Sequence, residues 1–86
     1  MNQTEFIFQT FDEAISVHKK LFEIMRNNGV VTYADLHIAA NKEYNKKDIE
    51  YFNYGWTNLW YSKVEPYDDD GNWILRMPKM EHFKYI

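Results

Sequence analysis

The chain of 86 residues contains no cysteine. Disulfide bonds, thiolate metal sites and a cysteine nucleophile are therefore excluded. Small secreted domains usually need disulfides because their cores are small, and residues 1–10 show no apolar signal segment, so a cytoplasmic protein is expected. The chain also lacks a run of about 18 apolar residues, so the sequence predicts no membrane span.

Basic residues and glycines are scarce. Ten Lys and Arg stand against thirteen Asp and Glu, a formal net charge of −3, and this balance argues against broad nucleic-acid binding. Gly29, Gly55 and Gly71 lie too far apart to form a phosphate-binding loop. The only serines, Ser16 and Ser62, are not in a glycine-rich nucleophile elbow. The sequence therefore predicts a protein that is not an enzyme and that uses no cofactor.

The potential metal ligands do not form a recognisable site. The three histidines are His18, His37 and His82, and they show no His-x-x-x-His spacing. His18 lies on an apolar helix face, where a structural histidine is the commoner interpretation. The acidic segment before Gly71 resembles part of a calcium loop, but loop positions 1 and 12 would then be Pro66 and Met77, which are not carboxylates. The sequence predicts no metal site.

Two helices are indicated by their start and stop signals. Apolar residues at helical spacing predict a helix over Phe11–Asn28, with a capping box of Thr10 and Glu13 at its start and Gly29 after its end. Thr32 and Asp35 predict the start of a second helix over Tyr33–Ala40. Residues 46–53 are interpreted as a third helix.

The strands are predicted from short β-forming runs. Residues 4–9 suit a short strand or an extended arm, and Val30 and Val31 suit a short strand. An acidic loop with an Asp-Gly step lies between two further runs, residues 60–65 and 73–77, which predicts a hairpin. Gly55 is interpreted as a bend that lets Trp56 fold back into the core. Residues 79–86 are expected to be a tail.

The sequence therefore predicts one α+β domain over residues 1–86, with residues 1–10 as an arm or strand. Three helices and a small antiparallel sheet follow in the order helix, strand, helix, helix, strand, strand. This is the order of a winged helix, in which the hairpin is the wing.

Aromatic residues are abundant at 19% of the chain. The predicted core comprises Phe11, Ile15, Leu21, Phe22, Met25, Leu36, Ile49, Phe52, Trp56, Leu59, Ile74 and Leu75. Because this set already fills a small core, further rings are expected at the surface, beside the acidic hairpin loop. The resulting partner-binding hypothesis names Tyr51, Trp60, Tyr61, Tyr67, Asp68, Asp69 and Asp70. The alternative is that these rings cover the sheet and bind nothing.

Three motifs occur in order along the chain. They are Gly29-Val30-Val31-Thr32-Tyr33-Ala34-Asp35-Leu36, then Tyr54-Gly55-Trp56-Thr57-Asn58-Leu59, then Gly71 before an apolar strand that closes with Leu75 and Pro78. Together they resemble small, mostly uncharacterised phage and prophage proteins that read G-x-V-T-V-A-D-L, Y-G-W-T-D-L and a glycine hairpin closed by Leu-Pro. The resemblance covers roughly residues 21–78. It implies an origin in a mobile element and a place in the cytoplasm of a bacterial host, and it implies no reaction.

Three functional hypotheses follow. The leading one is a phage-encoded interaction protein that binds a host protein with a basic surface, with inhibition of a host defence system as a candidate role. The alternative is a winged-helix nucleic-acid-binding regulator whose third helix contacts DNA through Lys46, Lys47 and Asn53. Asp48 and Glu50 in the same segment oppose that alternative, as does the acidic wing. The third hypothesis is a structural accessory of the virion.

Overall fold

The computed structural model describes residues 5–42 and 53–83. Within these residues the elements are β1 Glu5–Phe8, α1 Phe11–Asn28, β2 Val31–Thr32, α2 Tyr33–Ala40, β3 Tyr54–Trp56, β4 Lys63–Pro66, β5 Trp73–Arg76 and β6 Glu81–His82. The strands form two antiparallel sheets of three, in the orders β1-β5-β4 and β2-β3-β6. The described part of the chain is therefore α+β, with two helices and two small sheets, and neither helix is long and apolar enough to cross a membrane.

The winged-helix prediction of three helices on one small sheet is wrong. The strand after α1 pairs with β3, with Val31 opposite Trp56, and does not join the hairpin. The free edge of β5 is taken by β1, and in this register Phe6 continues the apolar row of Leu75 on the face that packs on α1. The residues interpreted as a third helix lie outside the described residues, apart from Asn53, which is in a turn.

The limits of α1 are confirmed at both ends. The Thr10 hydroxyl accepts a hydrogen bond of 3.1 Å from the backbone N–H of Glu13. At the other end Gly29 has a φ of 79°, and its N–H donates to the Met25 carbonyl at 2.8 Å. A left-handed residue after the last turn satisfies an end carbonyl and stops the helix, and glycine adopts this conformation without steric cost.

The orientation of α1 differs from the prediction. Leu21 is buried as expected, but it shares the buried face with Ala14 and Val17. Phe11, Ile15 and Phe22, predicted to be core, are 45%, 37% and 48% exposed. These three lie on the flank of the buried face, because the apolar surface of α1 is wider than the area that the sheets and α2 cover.

The second helix is confirmed over Tyr33–Ala40. Thr32 and Asp35 form both bonds of a capping box, each 3.0 Å long. The helix buries Leu36 as predicted, and it also buries Tyr33 and Ala39 against the core. Asn41 follows in the left-handed conformation with a φ of 55°, which ends the helix.

The core lies where the two helices meet the two sheets. It comprises Phe8, Ala14, Val17, Leu21, Val31, Tyr33, Leu36, Ala39, Trp56, Leu59, Leu75, Met77 and Met80. Trp56 is fully buried as predicted, and its indole N–H donates to the Pro78 carbonyl at 2.7 Å. Ile74 is also buried, and Met25 packs against the core from its margin. Ile49 and Phe52 lie outside the described residues.

The bend predicted at Gly55 is wrong, because Gly55 lies within β3. Glycine is required at this position because the backbones of β2 and β3 approach each other closely there. A Cβ at this position would lie 2.2 Å from the Val31 carbonyl oxygen and 2.7 Å from the Thr32 Cα. Thr57, two residues on, donates from both its N–H and its hydroxyl to Glu81. The Tyr54–Thr57 motif therefore holds the second sheet together.

Candidate functional site

The segment between β3 and β4 exposes two large aromatic side chains. Trp60 is 82% exposed and Tyr61 is 80% exposed, the highest values among the large hydrophobic residues that the structure describes. We call residues 58–62 the aromatic loop. Its two neighbouring rings match the prediction that part of the aromatic surplus lies at the surface.

The backbone of the aromatic loop is held firmly beneath these rings. Leu59 is buried, and its carbonyl accepts hydrogen bonds from the N–H of Ser62 at 3.1 Å and from the Ser62 hydroxyl at 2.6 Å. The side-chain oxygen of Asn58 accepts from the N–H of Trp60 at 3.3 Å. Exposed aromatic rings on an ordered backbone lose little conformational entropy when a partner covers them.

A side-chain contact ties the aromatic loop to α1. His18 Nε2 lies 2.8 Å from Ser62 Oγ. Because the single hydroxyl hydrogen of Ser62 is donated to Leu59, the Ser62 oxygen accepts from His18, which assigns a proton to Nε2. The His18 ring also packs on Phe22, with ring centroids 4.8 Å apart. Burial lowers the pKa of His18 below its ordinary value of 6.5.

We expect the partial burial of His18 to make stability depend on pH. A lowered pKa means that the unfolded chain binds a proton before the folded chain does, so the free energy of unfolding should fall as the pH drops below about 6.5 and through the folded-state pKa. In urea titrations at several pH values, His18→Gln should flatten this slope relative to the wild type. An unchanged slope above about pH 5, where carboxylates contribute little, would contradict the assignment to His18.

The acidic hairpin tip is formed by Asp68, Asp69 and Asp70, and its three carboxylates differ in role. The Asp68 side chain accepts from the side-chain amide of Asn72 at 2.8 Å and from the backbone N–H groups of Asn72 and Asp70. These hydrogen bonds hold the pKa of Asp68 below its usual range, and the bond from the Asn72 side-chain amide contributes most. Asp68 therefore closes the turn, whereas Asp69 and Asp70 are exposed and available to a partner.

The structure places the predicted partner-binding residues at two points. Trp60 and Tyr61 precede β4, whereas the half-exposed Tyr67 and the acidic tip follow it, so β4 separates the two groups by about 13 Å. Tyr51 lies outside the described residues. The aromatic loop and the acidic tip thus lie at opposite ends of β4.

An exposed apolar flank of α1 runs between these two ends, and its residues were predicted to be core. Phe11 packs on Trp73 at the tip end, with ring centroids 4.7 Å apart, and Phe22 reaches the loop end through His18. Ile15 lies between them on the same flank of the helix. The helical spacing of Phe11, Ile15 and Phe22 was visible in the sequence, but it was taken to mark residues buried in the core.

A shallow groove of about 520 Å³ lies between β1, α1 and the end of α2. Phe8, Val17 and Ala39 form its apolar part. Ser16 is the only hydroxyl group among its described lining residues, and no histidine accompanies it to act as a base. Nor does any cluster of three His, Asp or Glu that could hold a metal ion occur in residues 5–42 and 53–83.

Comparison with protein-family models, with curated proteins and with solved structures gives no significant match. A functional proposal for this chain therefore depends on the geometry of its own surface.

Proposed function

We propose that this chain is a phage-encoded interaction protein that binds a host protein through the aromatic loop and the acidic tip. The observation that carries the proposal is the exposure of Trp60 and Tyr61 on a loop held by four hydrogen bonds. Trp and Tyr dominate the energetics of protein interfaces because they bury a large area through few rotatable bonds.

The acidic tip supports a partner with a basic surface. Asp69 and Asp70 are exposed, and Asp68 is fixed beside them by its bonds to the turn. Exposed carboxylates at the edge of an interface speed the approach of a positively charged partner and add little affinity. We therefore expect added salt to slow association more than it changes dissociation.

The same hairpin gives little support to nucleic-acid binding. Its basic side chains on the outer sheet face are Lys63 and Arg76, and both are paired with carboxylates. Arg76 lies between Glu5 and Glu65, and its hydrogen bond is the main reason why the pKa of Glu65 is lowered. Phosphate contact requires cations that are free to replace counterions. Phosphate binding by this hairpin would first have to break these pairs.

Replacing either Trp60 or Tyr61 by alanine is expected to abolish binding of the host protein and to leave the chain folded. Both rings are mostly exposed, so each change should alter the free energy of unfolding by about 0.5 kcal/mol or less, whereas loss of an interface hot spot costs about 2 kcal/mol or more in binding. The measurement is a pull-down from nuclease-treated bacterial lysate followed by titration of the captured protein.

Ile38→Ala is the matched control, because Ile38 is a large apolar residue on α2 that is 70% exposed. It should retain the partner at wild-type affinity. The proposal is contradicted if the Trp60 and Tyr61 variants fold and still capture every partner of the wild type. Capture that disappears on nuclease treatment would instead indicate a nucleic acid.

A further inference from the structure

The exposed flank of α1 carries a regular apolar stripe. Its members are Phe11, Ile15, His18 and Phe22, and they follow one another at spacings of four, three and four residues. Phe11, Ile15 and Phe22 are each more than a third exposed, and His18 is half-buried. The stripe extends about 16 Å along the helix, or three turns. Alternating spacings of four and three are those of the a and d positions that line the seam of a two-helix coiled coil.

The side chains of this stripe are held in position and are only partly covered. Phe11 rests edge-on against Trp73, and Phe22 rests on the ring of His18, which is itself bonded to Ser62. These contacts restrain the rings before any partner arrives, so docking would cost little side-chain entropy.

Charged residues beside the stripe indicate the direction in which a second helix would lie. Asp12 and Lys19 are both exposed and lie two turns apart on the side of the stripe away from the core. In a parallel pair the two-fold axis runs along the helices, so Asp12 and Lys19 of the two copies would lie on opposite sides of the seam and would form no pair. An antiparallel copy, related by a two-fold axis midway between Ile15 and His18, brings each Asp12 within about 3 Å along the axis of the partner's Lys19.

We propose that two copies of this chain form an antiparallel homodimer in which the stripe on α1 packs against the same stripe of the second copy. The spacing of the stripe is the same in both directions, so the two-fold axis places Phe11 opposite the partner's Phe22 and Ile15 opposite the partner's His18. Two Asp12–Lys19 pairs close the interface on one side. A self-complementary apolar row with self-complementary charges is the requirement for an isologous interface.

The dimer extends the proposed function to bivalent binding. Each copy carries its own aromatic loop and acidic tip, so one dimer presents two of each to a multimeric host protein, with a gain from effective concentration. The dimer does not depend on that partner. A monomeric variant that retains Trp60 and Tyr61 would still test the single-site interaction, so the two proposals fail separately.

Sedimentation equilibrium on the purified full chain, from micromolar to near-millimolar concentration, tests the dimer. A seam of three turns is smaller than the roughly 800 Å² per partner of a standard interface, so we expect a dissociation constant on the order of 10–100 µM. Ile15→Lys should weaken dimerisation at least tenfold, because it places two buried cations at the two-fold axis. The matched control Ile38→Lys should leave it unchanged.

A charge exchange tests the orientation. Asp12→Lys alone and Lys19→Asp alone should each weaken the dimer several-fold, and the double variant should restore it to near the wild-type value. Circular dichroism on each variant establishes that α1 is intact. A wild-type chain that is monomeric at every concentration, or a dimer that Ile15→Lys leaves unchanged, would overturn the proposal. A double variant no better than its weaker parent would overturn the antiparallel arrangement.

Discussion

Gly55→Ala is expected to lower the free energy of unfolding by about 3 kcal/mol or more, the upper end of the usual cost of overpacking. The added Cβ would lie 2.2 Å from the Val31 carbonyl oxygen and 2.8 Å from the Phe83 ring. The Val31 oxygen belongs to the paired strand β2, so it moves only if the sheet opens. Urea unfolding followed by circular dichroism measures the loss. A chain this short has a small total stability, so the variant should be largely unfolded at 37 °C.

Gly29→Ala is the matched control for this prediction. Gly29 has a φ of 79°, but a Cβ there would meet no atom within 4 Å. The expected cost is that of a left-handed alanine, about 1 kcal/mol, because no packing is disturbed. Equal losses for the two variants would show that β2 and β3 do not approach each other as closely as described.

Leu21→Ala is expected to cost about 2–5 kcal/mol, whereas Phe22→Ala at the next position should cost about 1 kcal/mol or less. Leu21 is completely buried, so truncation leaves a cavity among the core side chains. Phe22 is 48% exposed, so its truncation leaves a surface depression that water fills. Chemical denaturation of the two variants under one set of conditions gives both values.

This pair of variants measures the rotation of α1. If Phe22→Ala were as damaging as Leu21→Ala, the apolar face predicted from the sequence would be the buried one. The stripe on the flank of α1 would then be covered within the monomer, and no surface would remain there for a second copy.

The local features of the fold could be predicted because their signals lie within a few residues. The hydroxyls of Thr10 and Thr32 each bond to a backbone N–H three residues on, so both helices could be placed from the sequence. The hairpin of β4 and β5 could be predicted for the same reason, since its turn residues lie between its two strands. Its first strand was predicted three residues too early, because β4 begins at Lys63 and not at Trp60.

The pairing of distant strands could not be predicted. β2 and β6 are each two residues long, too short for alternation to mark a buried face. β1 has a clear pattern, but nothing in that pattern selects the edge of β5 in preference to any other edge. Gly55 was interpreted as a turn residue because the atoms that exclude a side chain there belong to another strand.

The candidate site was predictable only in part. A count of aromatic residues was enough to indicate that some rings lie at the surface, and Trp60 and Tyr61 were correctly included among them. The support beneath them comes from His18, which is 44 residues from Ser62 and had no visible relation to it in the sequence. Phe11 and Phe22 were misassigned because helical periodicity marks an apolar face without showing how much of that face is covered.

Both sheets join residues that are synthesised at very different times. β1 is the first of the eight elements to be made, and within residues 5–42 and 53–83 its only strand neighbour is β5. β2 is paired with β3, whose other neighbour is β6. Before residues 73–76 are added, α1 can pack on α2 but cannot yet bury its apolar face against β5. Closing such long loops slows folding, and the nascent chain must stay soluble meanwhile. The caps on both helices suit this interval, because they stabilise helical turns before the strands that complete the core are made.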